Sequence, residues 1–357
     1  MANCKLNLFP ICILSVFIKF GTFIIVGKPI VPCYFIFGDS LVDSGNNNKL
    51  KTAAKANYPP YGIDFPHGVT GRFTNGRTQA DVIGELLNFD EYIPTYSTVT
   101  DQQISKGVNY ASGAAGIRDE TGSHLGGRIS LDMQLHNHCT TVSRIFKLQQ
   151  NKTFTNGYLH KCIYLVNIGS NDYINNYLQP TYYTTSHIYT TVKYAKVLVR
   201  QYSITTKALY DLGGRKIVVF GLGPIGCTPA EISNFGIDGE SCVEAINDAV
   251  KQFNGNLRSL VDKLNLNNPD AKFIFINLTS IALQQPGLGL SNGPCCEVRA
   301  DGQCIKNTHI CPVRALSIYY DGFHPTEIAN TIIATTSFYS VSPNDASPYD
   351  ISHLIRQ

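Results

Sequence analysis

The chain has 357 residues, of which 43% are hydrophobic and 15% are charged. That length accommodates one large domain or two ordinary ones, and the composition argues against intrinsic disorder. A net charge of +3, without any run of basic residues interleaved with aromatic ones, argues against nucleic-acid binding.

The N-terminal segment has the pattern of a secretory leader. It contains no acidic residue, and Lys5 precedes a long apolar run that ends at the small residue Gly27. The length of the run leaves a retained membrane anchor as the alternative, but Lys19 interrupts it. We therefore predict a signal peptide over residues 1–27 and a single domain over residues 28–357, with no stable membrane span and an extracellular location.

Nine cysteines remain beyond this leader, which is consistent with an oxidising compartment. Because nine is odd, at least one cysteine is expected to lack a partner. Cys227 and Cys242 bracket a short loop. In the stretch PCCEVRADGQCIKNTHICP, adjacent Cys295 and Cys296 fit the spacing of a zinc site poorly, so we predict disulfides there. Two tripeptides have the pattern of glycosylation acceptors: Asn151–Thr153 and Asn277–Thr279.

Short apolar runs alternate with amphipathic segments along the rest of the chain. The runs predicted as strands are Val31–Phe37, Cys162–Ile168, Lys216–Phe220 and Lys272–Asn277. Their continuous apolar character is typical of strands that are covered on both faces. The predicted helices begin at Thr78, at Val192, at the capping-box pattern Ser241–Glu244 and at Thr326. This alternation predicts a doubly wound α/β sheet, in which active sites lie at the carboxyl ends of the strands.

Four segments near the predicted strand ends carry candidate chemistry. Ser40, in the tripeptide GDS after the first strand, suits either a helix cap or a nucleophile. Asn171, after the second strand, suits either a turn or an oxyanion donor. The small residues of 109–116 allow either close backbone approach or tight packing. Asp321 and His324 are three residues apart, so the carboxylate can orient the imidazole towards a nucleophile.

Together these groups fill, at separate strand ends, the roles that an acyl-transfer site needs. Six blocks resemble those of plant-type GDSL esterase/lipases, within the SGNH hydrolase superfamily: FGDSLVDSGNNN (37–48), TGRFTNGR (70–77), GVNYASGAAGI (107–117), VNIGSNDY (166–173), GLGPIGCTP (221–229) and DGFHPT (321–326). The stretch at 66–77 is longer than the usual form of the family, which leaves the loop geometry near the substrate open.

The resemblance implies a three-layer α/β/α hydrolase with a flavodoxin-like, mostly parallel sheet. It implies Ser40 as the nucleophile, His324 as the base and Asp321 as the residue that orients the base. The oxyanion hole would consist of the Ser40 amide, the Gly116 amide and the side chain of Asn171. No metal or organic cofactor is expected, since the triad supplies both the nucleophile and the proton transfer. The expected substrate is a small-molecule, lipid or polysaccharide ester.

The main functional hypothesis is therefore a secreted esterase or lipase, located in the apoplast or cell wall if the source is a plant. An acyltransferase is the first alternative, because its acyl-enzyme half-reaction is identical. A catalytically inactive extracellular binding protein on the same fold is the second. The presence of every catalytic residue type argues against it.

Three other motifs match known signatures but lack the structural context that those signatures require. Residues 221–226 spell GxGxxG after a strand, but prolines follow and the next predicted helix start is Ser241, which favours a tight loop. Residues 289–293 spell GxSxG without a strand leading into them. The sequence His-Asn-His-Cys at 136–139 lacks a second ligand cluster, so we expect solvated side chains there rather than a metal site.

Overall fold

A computed structural model describes residues 28–237, 239–284 and 290–357 of the chain. The predicted leader over residues 1–27 lies outside this part of the chain, as does the first glycine of the GxSxG motif. Within the described ranges, none of the helices has both the length and the apolar character that crossing a bilayer requires.

The strands form one central sheet and one small accessory sheet. Their bounds are β1 (Tyr34–Gly38), β2 (Ile163–Asn167), β3 (Lys216–Phe220), β4 (Lys272–Ile276), β5 (Ser291–Pro294), β6 (Ser317–Tyr319) and β7 (Ala346–Ser347). The central sheet has the order β1–β2–β3–β4–β7, and β5 pairs with β6. Strands β1 to β4 are parallel and β7 is antiparallel to β4. The four predicted strands are thus confirmed, and their carboxyl ends lie along one edge of the sheet.

The segment around residues 107–112 adds a further extended stretch beside β1. Ile36 donates to the carbonyl oxygen of Val108 at 3.0 Å, and Tyr110 donates to that of Ile36 at 2.8 Å. The pairing continues where the Ser112 N–H meets the Gly38 carbonyl oxygen at 3.1 Å. Because of this pairing, the glycine- and alanine-rich turn at 113–116 lies beside the end of β1, where the GDS tripeptide is located.

Helices occupy most of the connections. Their bounds are α1 (Gln79–Leu86), α2 (Leu131–Gln149), α3 (Lys152–Leu159), α4 (Ser170–Asp172), α5 (Thr185–Ile188), α6 (Thr191–Asp211), α7 (Pro229–Phe235), α8 (Glu244–Asn267), α9 (Leu278–Leu283), α10 (Glu327–Phe338) and α11 (Ile351–Leu354). A π-helical turn over Tyr173–Tyr177 continues α4. Thr78 caps α1 through a complete capping box with Asp81, and Thr326 caps α10, as the sequence predicts.

The capping box predicted at Ser241 does not form, and that prediction was wrong. The N-cap of α8 is Val243, which makes no side-chain capping bond. Cys242 is bonded to Cys227, and the Val243 N–H donates to the carbonyl oxygen of Gly226 at 2.7 Å. These two connections hold Cys242 and Val243 against the loop that contains Gly226 and Cys227, so Ser241 lies outside the helix. Helix α7 begins ahead of Ser241, so Ser241 is not the next helix start after residues 221–226, as the sequence had indicated.

The sheet is covered on both faces, because successive side chains of each strand point to opposite sides. One face contacts the apolar sides of α2, α6 and α8, and its strand residues are Phe35, Phe37, Tyr164, Val166, Ile217, Val219, Phe273 and Phe275. The other face contacts α1, α10 and α11, and its strand residues are Tyr34, Ile36, Ile163, Leu165, Val218, Phe220, Ile274 and Ile276. The three-layer α/β/α architecture with a mostly parallel sheet is therefore confirmed.

Four disulfides connect the described cysteines: Cys33–Cys162, Cys227–Cys242, Cys295–Cys311 and Cys296–Cys304. The first joins the segments that precede β1 and β2. The last two crosslink the cysteine-rich stretch, where the sequence predicts disulfides rather than zinc. Cys139 is exposed and has no disulfide partner among the described residues, in agreement with the odd count.

Candidate active site

The end of β1 is built so that the chain turns immediately before Ser40. A Cβ atom on Gly38 would lie 2.5 Å from both the Asn167 carbonyl oxygen and a methyl group of Val42, so close packing requires glycine here. The side chain of Gln134 accepts from the Gly38 N–H at 2.9 Å and donates to its carbonyl oxygen at 2.8 Å. The N–H of Ser40 has no hydrogen-bond partner among the described residues, so it is available to a ligand.

His324 lies between Ser40 and Asp321. Its Nε2 is 2.8 Å from the Ser40 Oγ, and its Nδ1 is 2.8 Å from Oδ2 of Asp321. Asp321 is fully buried, and its Oδ1 also accepts from the backbone N–H groups of Phe323 and His324, each at 2.8 Å. An ionised carboxylate only accepts, so Nδ1 carries the proton of the neutral imidazole. The lone pair of Nε2 then faces the Ser40 hydroxyl.

Two aromatic residues that the sequence did not single out complete this arrangement. The hydroxyl of Tyr61 donates to Oδ2 of Asp321 at 2.6 Å, and the Tyr61 oxygen accepts from the Cys304 N–H at 3.0 Å. The ring of Phe73 lies 5.0 Å from that of His324, between centroids. Tyr61 is 260 residues from Asp321, so no local pattern indicates their contact. For Phe73, the TGRFTNGR block marked the segment as one that resembles the family, although it did not single out the aromatic side chain.

Asn171 lies in α4, the short helical turn that follows β2. One of its Nδ2 hydrogens is directed to the carbonyl oxygen of Ala115 at 3.0 Å, while its Oδ1 accepts from Asn175 at 2.6 Å. These two bonds fix which end of the amide is the donor. The second N–H of Nδ2 remains for a ligand, because the amide nitrogen carries two hydrogens.

The loop at 113–116 does not place all of its amides at the same cavity. Gly113 donates to Oδ2 of Asp43 at 3.0 Å, so its N–H is occupied. A Cβ on Gly116 would lie 2.4 Å from the side chain of Thr121, and Gly116 is not among the residues that line the cavity. Ala114 does line the cavity, with a left-handed φ of 65°. The structure thus brings Ser40, Asn171 and His324 to the cavity, with Asp321 bonded to His324, and the role of the Gly116 amide stays a prediction.

Buried carboxyl groups hold the loops around these residues. Asp43 accepts from the N–H groups of Gly45 and Asn46 at 2.7 and 2.8 Å, in addition to that of Gly113. Asp172 accepts from Ile117 at 2.7 Å and from the Thr121 hydroxyl at 2.8 Å. Burial raises the pKa of both carboxyls to about 6. Burial likewise raises the pKa of Asp39, beside Ser40, to about 7, although the Leu41 N–H opposes the shift.

Comparison with known proteins identifies the family of the chain. A family model described as GDSL-like lipase/acylhydrolase matches residues 34–336. The chain belongs to this family. GDSL esterase/lipase At1g29670 of Arabidopsis thaliana is 49% identical over 354 residues, which cover 96% of this chain and 97% of that protein. GDSL esterase/lipase At4g18970 of the same plant is 48% identical over 342 residues, covering 93% and 95%. The chain is accordingly a carboxylic ester hydrolase.

In this GDSL hydrolase, Ser40 and His324 open into a cavity of about 220 Å³. Its apolar lining includes Leu41, Phe73, Ile174, Ile225, Leu278, Ile318, Phe323 and Ile333. Its polar lining includes Gln79, Asn171, Gln179, Thr228, Glu231, Asn234, Asp301 and Gln303. The GxGxxG segment is one wall of this cavity, through Gly223, Pro224 and Ile225. That segment therefore lines the candidate site, and no nucleotide-binding helix follows it at once.

The two remaining motifs do not contribute to the site of this family member. Ser291 lies exposed in β5 and does not line the cavity, as the sequence analysis expects of it. The expectation of solvated side chains in His-Asn-His-Cys was wrong for His138, which is fully buried. Its Nδ1 is 3.1 Å from the Tyr110 hydroxyl, and burial lowers its pKa to about 3. Among the described residues, no cluster of three or more His, Cys, Asp or Glu has metal-binding geometry.

Proposed function

We propose that this GDSL hydrolase cleaves carboxylic esters through a Ser40–His324–Asp321 triad and an acyl-enzyme. Nε2 of His324 takes the proton of the Ser40 hydroxyl as Oγ attacks the ester carbonyl carbon. The tetrahedral intermediate collapses, the alkoxy C–O bond breaks, and the imidazolium returns the proton to the departing alcohol. Water then attacks the acyl-enzyme with the same proton transfers, releasing the acid and restoring Ser40. Asp321 accepts from Nδ1 and fixes the imidazole throughout.

The intermediate carries negative charge on the former carbonyl oxygen, and three donors would stabilise it. The Ser40 N–H and the second N–H of Asn171 are two of them, because neither has another partner among the described residues. The sequence predicts the Gly116 amide as the third. We propose the Ala114 amide as its competitor, because Ala114 lines the cavity and Gly116 does not.

The observation that supports this mechanism most strongly is the unbroken hydrogen-bonded path from the Ser40 Oγ through His324 to Asp321. Hydrolysis of p-nitrophenyl acetate and butyrate by the wild type and Ser40→Ala tests it. We expect wild-type turnover and almost none in Ser40→Ala, while the two proteins share the same circular dichroism spectrum. Equal rates would refute the mechanism. A product ester formed with an added alcohol, in preference to the free acid, would instead identify an acyltransferase.

We also propose that residues 1–27 direct the protein to the secretory pathway and that residues 28–357 form one extracellular domain. Four disulfides support this, because they persist in oxidising compartments. Asn151, in the first glycosylation tripeptide, is exposed at the N-cap of α3. Expression of the full chain in a plant cell, followed by N-terminal sequencing of the medium fraction, tests the proposal. An unprocessed protein retained in the cell would contradict it.

A further inference from the structure

Glu231 is a buried carboxyl group that the proposed mechanism does not use. It lies in the first turn of α7, is only 2% exposed and lines the cavity that contains Ser40. Its Oε2 has no hydrogen-bond donor, and no ion pair involves it, among the described residues. A buried carboxyl without a partner is costly for a folded protein. Such a group in a substrate cavity therefore calls for a functional explanation.

The backbone around Glu231 is fixed, so its position is a property of the fold. The N–H of its neighbour Ala230 donates to the carbonyl oxygen of Gly322 at 2.9 Å, and Gly322 lies between Asp321 and His324 in the chain. Thr228, the N-cap residue of α7, directly follows Cys227, which is bonded to Cys242. Helix α7 is thus attached directly to the turn that carries the proposed base.

A second residue that lines the cavity, Gln303, also has a buried oxygen without a hydrogen-bond donor among the described residues. Gln303 is 6% exposed, and its Nε2 donates to the Ala53 carbonyl oxygen at 3.1 Å and to Asp301 at 3.3 Å. Both partners are acceptors, so the amide orientation is fixed and the oxygen Oε1 is the atom without a donor. Two residues that line the cavity of this hydrolase, Glu231 and Gln303, therefore each carry a buried oxygen without a hydrogen-bond donor among the described residues.

We propose that the substrate is an ester that carries a hydroxyl group, which donates a hydrogen bond to Glu231 inside the catalytic cavity. This inference rests on the proposed function, since it concerns the same site. A hydroxyl fits better than a cation, because burial without a charged partner favours the neutral carboxyl. In agreement with this, burial raises the pKa of Glu231 to about 7. A neutral carboxyl accepts from a hydroxyl and donates to it in return.

The proposal makes Glu231 a specificity residue. Its test is therefore the ratio of kcat/KM for a hydroxylated ester to kcat/KM for the plain ester of the same chain length. The probes are matched p-nitrophenyl esters of hexanoate and 6-hydroxyhexanoate, octanoate and 8-hydroxyoctanoate, and decanoate and 10-hydroxydecanoate. We expect the wild type to prefer the hydroxylated member of at least one pair by about tenfold in kcat/KM, the equivalent of one hydrogen bond. The same preference is expected in the rate at which alkyl fluorophosphonates, with and without a terminal hydroxyl, label Ser40.

Three variants separate recognition from folding. Glu231→Leu should abolish the preference, because it removes the proposed hydrogen-bonding group, and the ratio within each ester pair reports this whatever the absolute rate. Glu231→Gln should retain part of the preference, since its amide oxygen still accepts. Glu244→Gln, which removes an exposed carboxyl in α8 outside the cavity, should leave the ratio unchanged.

The outcomes distinguish this inference from the proposed mechanism. Equal rates for wild type and Ser40→Ala would overturn the mechanism. An active wild type without a hydroxyl preference, or with one that persists in Glu231→Leu, would overturn the role of Glu231 alone. A stronger preference for esters with a terminal trimethylammonium group than for hydroxylated ones would also overturn it, because the site would then hold a cation.

Discussion

The Tyr61 hydroxyl donates to Oδ2 of Asp321, at 2.6 Å, on the side of the carboxylate that also faces Nδ1 of His324. Both partners are fully buried. Burial, together with the proximity of Asp321, raises the pKa of Tyr61 well above its ordinary value, so the tyrosine remains a donor throughout the working pH range. Tyr61 thereby connects the loop before α1 to the turn before α10.

Tyr61→Phe removes this donor while keeping the aromatic packing against Phe73 and Tyr320. We expect kcat to fall about tenfold with little change in KM, because a hydrogen bond to a charged group contributes about 1.5 kcal/mol or more and here orients the carboxylate. Steady-state kinetics on p-nitrophenyl butyrate measures this. An unchanged kcat would show that the two backbone donors orient Asp321 without help from Tyr61.

Asn171→Ala removes a proposed oxyanion donor. We expect kcat to fall on the order of 10²–10³-fold, because the lost bond is made only in the transition state. The matched control is Asn175→Ala, which deletes the side chain that donates to Oδ1 of Asn171 but leaves the donor itself in place. It should lose much less activity. Equal losses in the two variants would argue that Asn171 acts only by packing.

Asp172→Asn tests the support of the loop that follows 113–116. The substituted amide retains the shape of the carboxylate but loses one acceptor, so one of the donors from Ile117, Arg118 or Thr121 is left without a partner. We expect the free energy of unfolding in urea to fall by about 2 kcal/mol. The control is Asp119→Asn, at an exposed position next to Arg118, and it should leave the free energy of unfolding unchanged. Equal stability of both variants would mean that the loop does not depend on Asp172.

Stability should fall as the pH rises from about 4.5 to 7.5. Burial raises the folded-state pKa of Asp39 and Glu231 to about 7 and of Asp43 and Asp172 to about 6, so these carboxyls bind more protons folded than unfolded. Their stabilising contribution is complete below their unfolded pKa values and is lost as pH rises through the folded ones. Burial lowers the pKa of three histidines, His124, His138 and His160, and that of His138 falls to about 3. These act in the opposite direction, but they are three groups against four.

Each net proton in this balance corresponds to about 1.4 kcal/mol per pH unit. Thermal unfolding at intervals across that range measures the slope, with ionic strength held constant. Glu231→Gln is the control, because it removes one of the four carboxyls and should make the slope shallower. A melting temperature that rises between pH 5 and pH 7.5 would contradict the assignment of these carboxyls as protonated in the folded state.

Much of the fold and of the proposed triad was predictable because it follows local patterns. Continuous apolar runs predicted the four central strands, and Thr78 and Thr326 predicted helix starts. Ser40 and Asn171 were found by one rule, that chemistry collects at the carboxyl ends of parallel strands, whereas the triad roles rested on the resemblance to the family. The sequence alone therefore predicted that Ser40 and Asn171 lie close together, although they are far apart in the chain.

The rest depends on contacts between remote parts of the chain. Ser241 matches a helix cap, yet the neighbouring disulfide of Cys242 holds it out of α8. His138 lies on a helix whose sequence does not reveal that its position faces the sheet. The Tyr61–Asp321 bond and the unpartnered Glu231 depend on how loops from opposite ends of the chain meet, which local propensity does not encode.

The most direct test of the central claim is to trap the nucleophile. The protein is incubated with a fluorophosphonate, and the site of the adduct is located by peptide mass spectrometry in the wild type, Ser40→Ala and His324→Ala. We predict one adduct, on Ser40, in the wild type, its absence in Ser40→Ala, and labelling of Ser40 slowed by at least two orders of magnitude in His324→Ala. Labelling of a different residue, or labelling of Ser40 at the wild-type rate in His324→Ala, would contradict the account.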